Sequence, residues 1–103
     1  MVAAGLACDN VDSGGVAGPV RNADVTMPGN FFLPEQVTVP VGGKVLWVGS
    51  GTEHNVNFGG VPDAPSGCGR WSFGDCLLTF PLAGTFNYNC TLHPGMVGRV
   101  TVQ

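Results

Sequence analysis

Charge is what this chain has least of. Only 11% of its 103 residues are Asp, Glu, Lys or Arg, and the formal net charge is −3. The four cations, Arg21, Lys44, Arg70 and Arg99, stand singly along the chain. Phosphate neutralisation needs clustered Lys and Arg, so nucleic acid is excluded as a partner. Long apolar runs are missing as well: no window approaches the roughly 18 residues that a membrane-spanning helix requires. There is no helical periodicity longer than a turn and no internal repeat. Histidine occurs only twice, at His54 and His93. Any imidazole chemistry must come from these two.

What is present is apolar and turn-rich. Hydrophobic residues make up 44% of the chain, with Gly 17 and Pro 8 spread along its length. That combination argues for short strands and turns. A chain of this length forms one domain with a real core.

From residue 23 onward the signals are regular. Val25-Thr26-Met27 reads as a strand stopped by Pro28 and Gly29, and Val37 and Val39 share a face of the next. Lys44-Val45-Leu46-Trp47-Val48 is apolar on both faces, which predicts a strand central to a sandwich. Residues 49–52 end it and deliver His54. Residues 59–75 read as a long excursion, with Trp71 and Phe73 expected to anchor it to the core. Leu78-Thr79-Phe80 is another strand. Residues 85–90 alternate without a fault, so Phe86, Tyr88 and Cys90 point inward while Thr85, Asn87 and Asn89 point out. Residues 98–102 alternate again and close the domain. Short strands at this spacing predict an all-β sandwich over residues 22–103.

Residues 1–21 read as leader and linker. Small and apolar residues before Cys8 resemble the tail of a bacterial lipoprotein signal, which makes Cys8 a candidate lipid attachment site and membrane tether. Leu6 stands one place closer to the cysteine than that pattern has it, and the alternative is a leader with an unpaired thiol. Residues 9–19 are polar and glycine-rich, a linker by composition or an ordered first strand.

Soft donors gather near the end of the chain. In Tyr88-Asn89-Cys90-Thr91-Leu92-His93-Pro94-Gly95-Met96, the three donors Cys90, His93 and Met96 are each separated by two residues. Two imidazoles, a thiolate and a weak axial thioether form the donor set of blue-copper centres. His54 is the one source of the second imidazole. The predicted site is therefore a single copper held by His54, Cys90, His93 and Met96. Zinc is the competing reading, since Cys-x-x-His is also half of a zinc site. Zinc wants four strong donors, and Met96 is a poor one that core packing would equally explain.

With Cys90 as a ligand, Cys68 and Cys76 are left to pair as a disulfide, the alternative being a second metal site. The bridge would close a short loop, worth roughly 2.5 kcal/mol in the loop-entropy model. A disulfide places the protein outside the cytoplasm, in the periplasm or at the cell surface. Glu53 reads as a solvated charge. All four positions around the metal are filled by protein, which leaves no open site for a substrate, and no enzymatic activity is expected.

These residues resemble the cupredoxins of the plastocyanin and azurin type. The resemblance covers residues 25–102 and rests on Val45-x-Trp47, on His54-Asn55, and on Tyr88-x-Cys90-x-x-His93-x-x-Met96-x-Gly98-x-Val100-x-Val102. The short ligand loop looks most like that of amicyanin. The resemblance implies a Greek-key β-sandwich and a type 1 copper that passes single electrons between redox partners as Cu(II)/Cu(I). It also implies hydrogen bonds from Asn55 between the two ligand loops, and an exposed His93 where electrons enter. The partner patch would then be Leu92, Pro94 and Gly95 with Val56 or Phe58, a small apolar surface suited to transient docking of a monomer. Cys68, Cys76 and the excursion depart from the family pattern. Two other functions fit the same residues: a copper-delivery protein, and an electron-entry domain of a larger oxidoreductase.

Overall fold

The computed structural model describes residues 20–103; Cys8 and nearly all of the expected leader and linker lie outside the described residues. Within them the chain forms β1 (Ala23–Gly29), β2 (Phe31–Leu33), β3 (Gln36–Val39), β4 (Gly43–Val48), β5 (His54–Val56), β6 (Cys68–Trp71), β7 (Asp75–Phe80), β8 (Gly84–Asn89) and β9 (Val97–Val102). No helix occurs among the described residues. One sheet has the order β3-β9-β8, a second β2-β1-β4-β7, and β5 pairs with β6 in a two-stranded ribbon. Both larger sheets are mixed. β9 runs parallel to β3 and antiparallel to β8, while β4 runs parallel to β1 and antiparallel to β7.

The alternation in the sequence becomes the core. In β8, Phe86 and Tyr88 are buried, and in β9 Val100 and Val102 are. From the other sheet come Val25 and Met27 of β1, Val45 and Trp47 of β4, and Phe80 of β7. Tyr88 packs edge-on against Phe32 at 4.7 Å and Trp47 at 5.3 Å, and against Phe58 at 5.6 Å. Aromatic pairs of this kind add about 0.5–1.5 kcal/mol each beyond their buried area. The cluster locks the two sheets at the end where the ligand loops emerge.

β4 lies between β1 and β7, as its two apolar faces predicted. Its Leu46 is buried on the face away from the main cluster.

One of the two expected anchors of the excursion holds and the other does not. Trp71 is half-buried against the core, but Phe73 is 81% exposed. Phe73 occupies the tight turn between β6 and β7, beside Gly51. With Trp71, the segment is tied by β5–β6 pairing and, as the reading of Cys68 and Cys76 expected, by their disulfide, whose Cα atoms are 6.3 Å apart.

Candidate metal centre

Two segments from different sheets meet at one pole. The first follows β8. Its strand ladder stops at Asn89, so Cys90 stands one residue beyond it rather than inside it. Cys90 is nonetheless held, because its amide donates to the Met96 carbonyl at 2.9 Å. The turn between them closes through the His93 amide on the Cys90 carbonyl at 3.4 Å and the Met96 amide on the His93 carbonyl at 3.1 Å. Gly95 takes φ +84° within this turn, a conformation that costs glycine little. The second segment leaves β4 through residues 49–53 and brings in His54, the first residue of β5.

The donors converge. His93 Nδ1 lies 3.5 Å and His54 Nδ1 3.9 Å from Cys90 Sγ, and the three donor atoms all lie within 4.8 Å of one another. Three donors set about 2.1 Å around a common point would be separated by roughly 3.6 Å, so both measured edges suit one shared ion. His54, Cys90 and Met96 are buried to within 1% exposure, and His93 is half-buried. Burial, and then the neighbouring His93, push the His54 imidazolium below its usual range, which favours the neutral, ligating form. Among the described residues Cys90 is the free cysteine. The donor set matches soft-metal chemistry, and copper fits it.

Asn55 clamps the two segments together. Its Nδ2 donates to Thr91 Oγ1 at 2.9 Å, and its Oδ1 accepts from the Thr91 amide at 2.8 Å. Asn57 and Asn89 add a second tie, exchanging backbone hydrogen bonds at 2.9 and 3.0 Å. The partner Thr91, and the Asn57–Asn89 bridge, were not legible in the sequence. The alternation placed Asn89 facing outward, and only the fold brings it opposite Asn57.

One expected surface is corrected. Val56 is 2% and Phe58 5% exposed, so neither belongs to a docking patch. Both side chains serve the core, with Phe58 edge-on to Phe80 and tilted against Tyr88. Leu92 and His93 are half-buried, and Pro94 and Gly95 are exposed. Glu53 is exposed, as a solvated charge should be.

Comparison with known proteins agrees with this geometry. No family model matches the chain. Amicyanin of Paracoccus versutus is 37% identical over 76 residues, covering 70% of this chain and 58% of the relative. The chain thus spans less than two thirds of the length of that curated relative. The crystal structure of amicyanin from the same organism superposes with a TM-score of 0.73 at 30% identity, covering 84% of this chain and 85% of that one. A variant of amicyanin in its reduced Cu(I) form at pH 4 gives 0.71 at 32% identity, with 85% and 86% covered. A purple cupredoxin from Nitrosopumilus maritimus gives 0.70 at 27% identity, with 80% and 100% covered. The chain belongs to the cupredoxins, proteins built around a single copper ion. Within them, its ligand loop is of the amicyanin kind, with two residues between Cys90 and His93 and two between His93 and Met96.

Proposed function

We propose that this protein is a type 1 copper electron carrier in which His54, Cys90, His93 and, more weakly, Met96 would hold the copper. The observation that carries the reading is the convergence of both histidine Nδ1 atoms on the buried Cys90 sulfur, at 3.5 and 3.9 Å. Copper bound there supplies a one-electron Cu(II)/Cu(I) couple. The protein's own part is to hold its donors still. The Asn55–Thr91 clamp and the Asn57–Asn89 bridge keep the two segments at one separation whichever oxidation state is present. Buried surroundings exclude water from the Cys90 sulfur.

His93 is the half-buried ligand, and the surface beside it is formed by Leu92, Pro94 and Gly95. That small, uncharged patch suits brief docking by redox partner proteins, without strong electrostatic steering. The carrier acts as a monomer and performs no catalysis of its own. The Cys68–Cys76 disulfide supports a location outside the cytoplasm. The folded unit in this reading is residues 22–103, with residues 1–21 as linker and Cys8 as its membrane tether.

The test is the visible spectrum of the purified protein on adding Cu(II), beside a Cys90→Ser control. An intense thiolate-to-copper band, lost in the control and on reduction, is the expected result. A colourless protein that holds only Cu(I) would replace the carrier with a copper-delivery protein. A colourless protein holding zinc would overturn the copper reading.

A further inference from the structure

His54 sits on a strand of three residues, too short to hold its own register. On one edge its support runs along a neighbouring segment. Before the histidine, the amides of Gly49 and Gly51 donate to the carbonyls of Gly74 and Ser72, each at 2.8 Å. At and after it, His54 and Val56 pair with Trp71 and Cys68. Residues 68–74 therefore splint the whole His54 strap. At Gly67, beside the start of β6, the fit is so close that an added Cβ would strike the Val56 carbonyl oxygen.

That splint has weak ends. Gly67 and Gly74 flank it with φ of +91° and +85°, and among the described residues β6 has β5 as its one sheet neighbour. Besides the peptide turn of residues 72–74 into β7, its covalent hold on the sandwich is the disulfide. Cys68 on β6 is joined to Cys76 on β7, and Cys76 stands opposite the fully buried Trp47 in the β4–β7 ladder. A continuous line of contact thus runs from the core through Trp47, Cys76 and Cys68 to Val56 and His54.

We propose that the Cys68–Cys76 disulfide is a positioning element of the metal centre, holding the His54 imidazole against Cys90 through β6. This inference rests on the copper-site reading above. The disulfide is not part of the donor set, and its link to His54 runs through the pairing of Cys68 with Val56. Opposite it, the Asn55–Thr91 clamp secures the other edge, and the histidine is fixed between the two.

The experiment compares wild-type apoprotein with the Cys68→Ala/Cys76→Ala double variant by amide hydrogen exchange, then loads each with Cu(II). Expected is roughly a 10- to 100-fold acceleration over residues 54–56 and 68–71, with β8 and β9 unchanged. The loaded variant should keep a thiolate–copper band that is shifted in wavelength, and bind copper more weakly in competition with a chelator. If wild type forms the band and the variant matches it in exchange, band and affinity, the inference falls while the carrier reading stands. If wild type forms no band, the carrier reading falls and takes the inference with it. Should the double variant fail to fold, exchange is measured on wild-type apoprotein with and without a phosphine reductant. Acceleration confined to the strap then supports the inference, and equal acceleration at Val100 and Val102 overturns it.

Discussion

Gly98 has no room for a side chain, and Gly98→Ala measures how tightly the ligand pole is packed. Gly98 pairs directly with Tyr88 across β8 and β9. An ideal Cβ at position 98 would lie 2.8 Å from Tyr88 Cε1 and closer still to Cζ and Oη. Real Cβ atoms do not tolerate this, so the ring would have to move. It cannot swing aside freely, because Phe32, Trp47 and Phe58 box it in at 4.7, 5.3 and 5.6 Å. Overpacking a buried site typically costs about 1–3 kcal/mol. The backbone pulls the other way. Gly98 is not in the left-handed region, so alanine would otherwise stabilise by about 0.4–1 kcal/mol through the unfolded chain. A net loss of about 1–2 kcal/mol is expected, which for a domain of this size lowers Tm by roughly 4–16 °C. Thermal and urea unfolding of the apoprotein, followed by circular dichroism, read it directly, with an unchanged m-value as the control. In a Tyr88→Leu background the same change should cost under about 0.5 kcal/mol, a coupling the double-mutant cycle isolates. A neutral or stabilising Gly98→Ala in wild type, or an undiminished cost with leucine at position 88, would refute the reasoning.

Asn55→Ala removes both hydrogen bonds to Thr91. At roughly 0.5–1.5 kcal/mol each, reduced by their exposure, the loss should be about 1 kcal/mol by urea unfolding, with faster amide exchange at Thr91. Tyr88 is the one tyrosine of the chain, and burial foremost pushes its phenol up to about 12. Its ultraviolet titration in the folded protein should therefore show no step near pH 10. Because the folded value lies above the unfolded one, stability is intact below about pH 10 and falls as pH rises toward 12, and a native step at pH 10 would contradict the burial. Phe73→Ser, at a side chain 81% exposed, should leave the unfolding free energy measured in urea within about 0.5 kcal/mol of wild type. A larger loss would mean that the turn is packed after all.

The strands were legible because half-buried β-structure writes its period into the sequence. Phe86-x-Tyr88 and Val100-x-Val102 alternate, and their side chains are buried where the alternation put them. The disulfide could be inferred by elimination once Cys90 was set aside as a ligand. What the sequence could not convey was pairing between distant segments. Nothing in residues 54–71 announces that His54 faces Trp71, or that Asn57 meets Asn89. Exposure in the excursion was equally illegible. Phe73 is apolar by type, yet a two-ended turn left it outside, while Val56 and Phe58 followed a ligand into the core. Local pattern encodes faces; contact across the fold decides which segments share them.

The two segments of the metal pole belong to different sheets, and His54 and Cys90 are 36 residues apart in the chain. An ion gripping both would therefore close a loop, as a third kind of cross-link beside the ladders and the disulfide. Treated as a loop of that size, such a staple removes roughly 4 kcal/mol of freedom from the unfolded chain. Copper occupancy would then govern how long the molecule survives proteases as well as whether it can carry an electron. A chain that has lost its metal would be marked for removal by its own loosened pole.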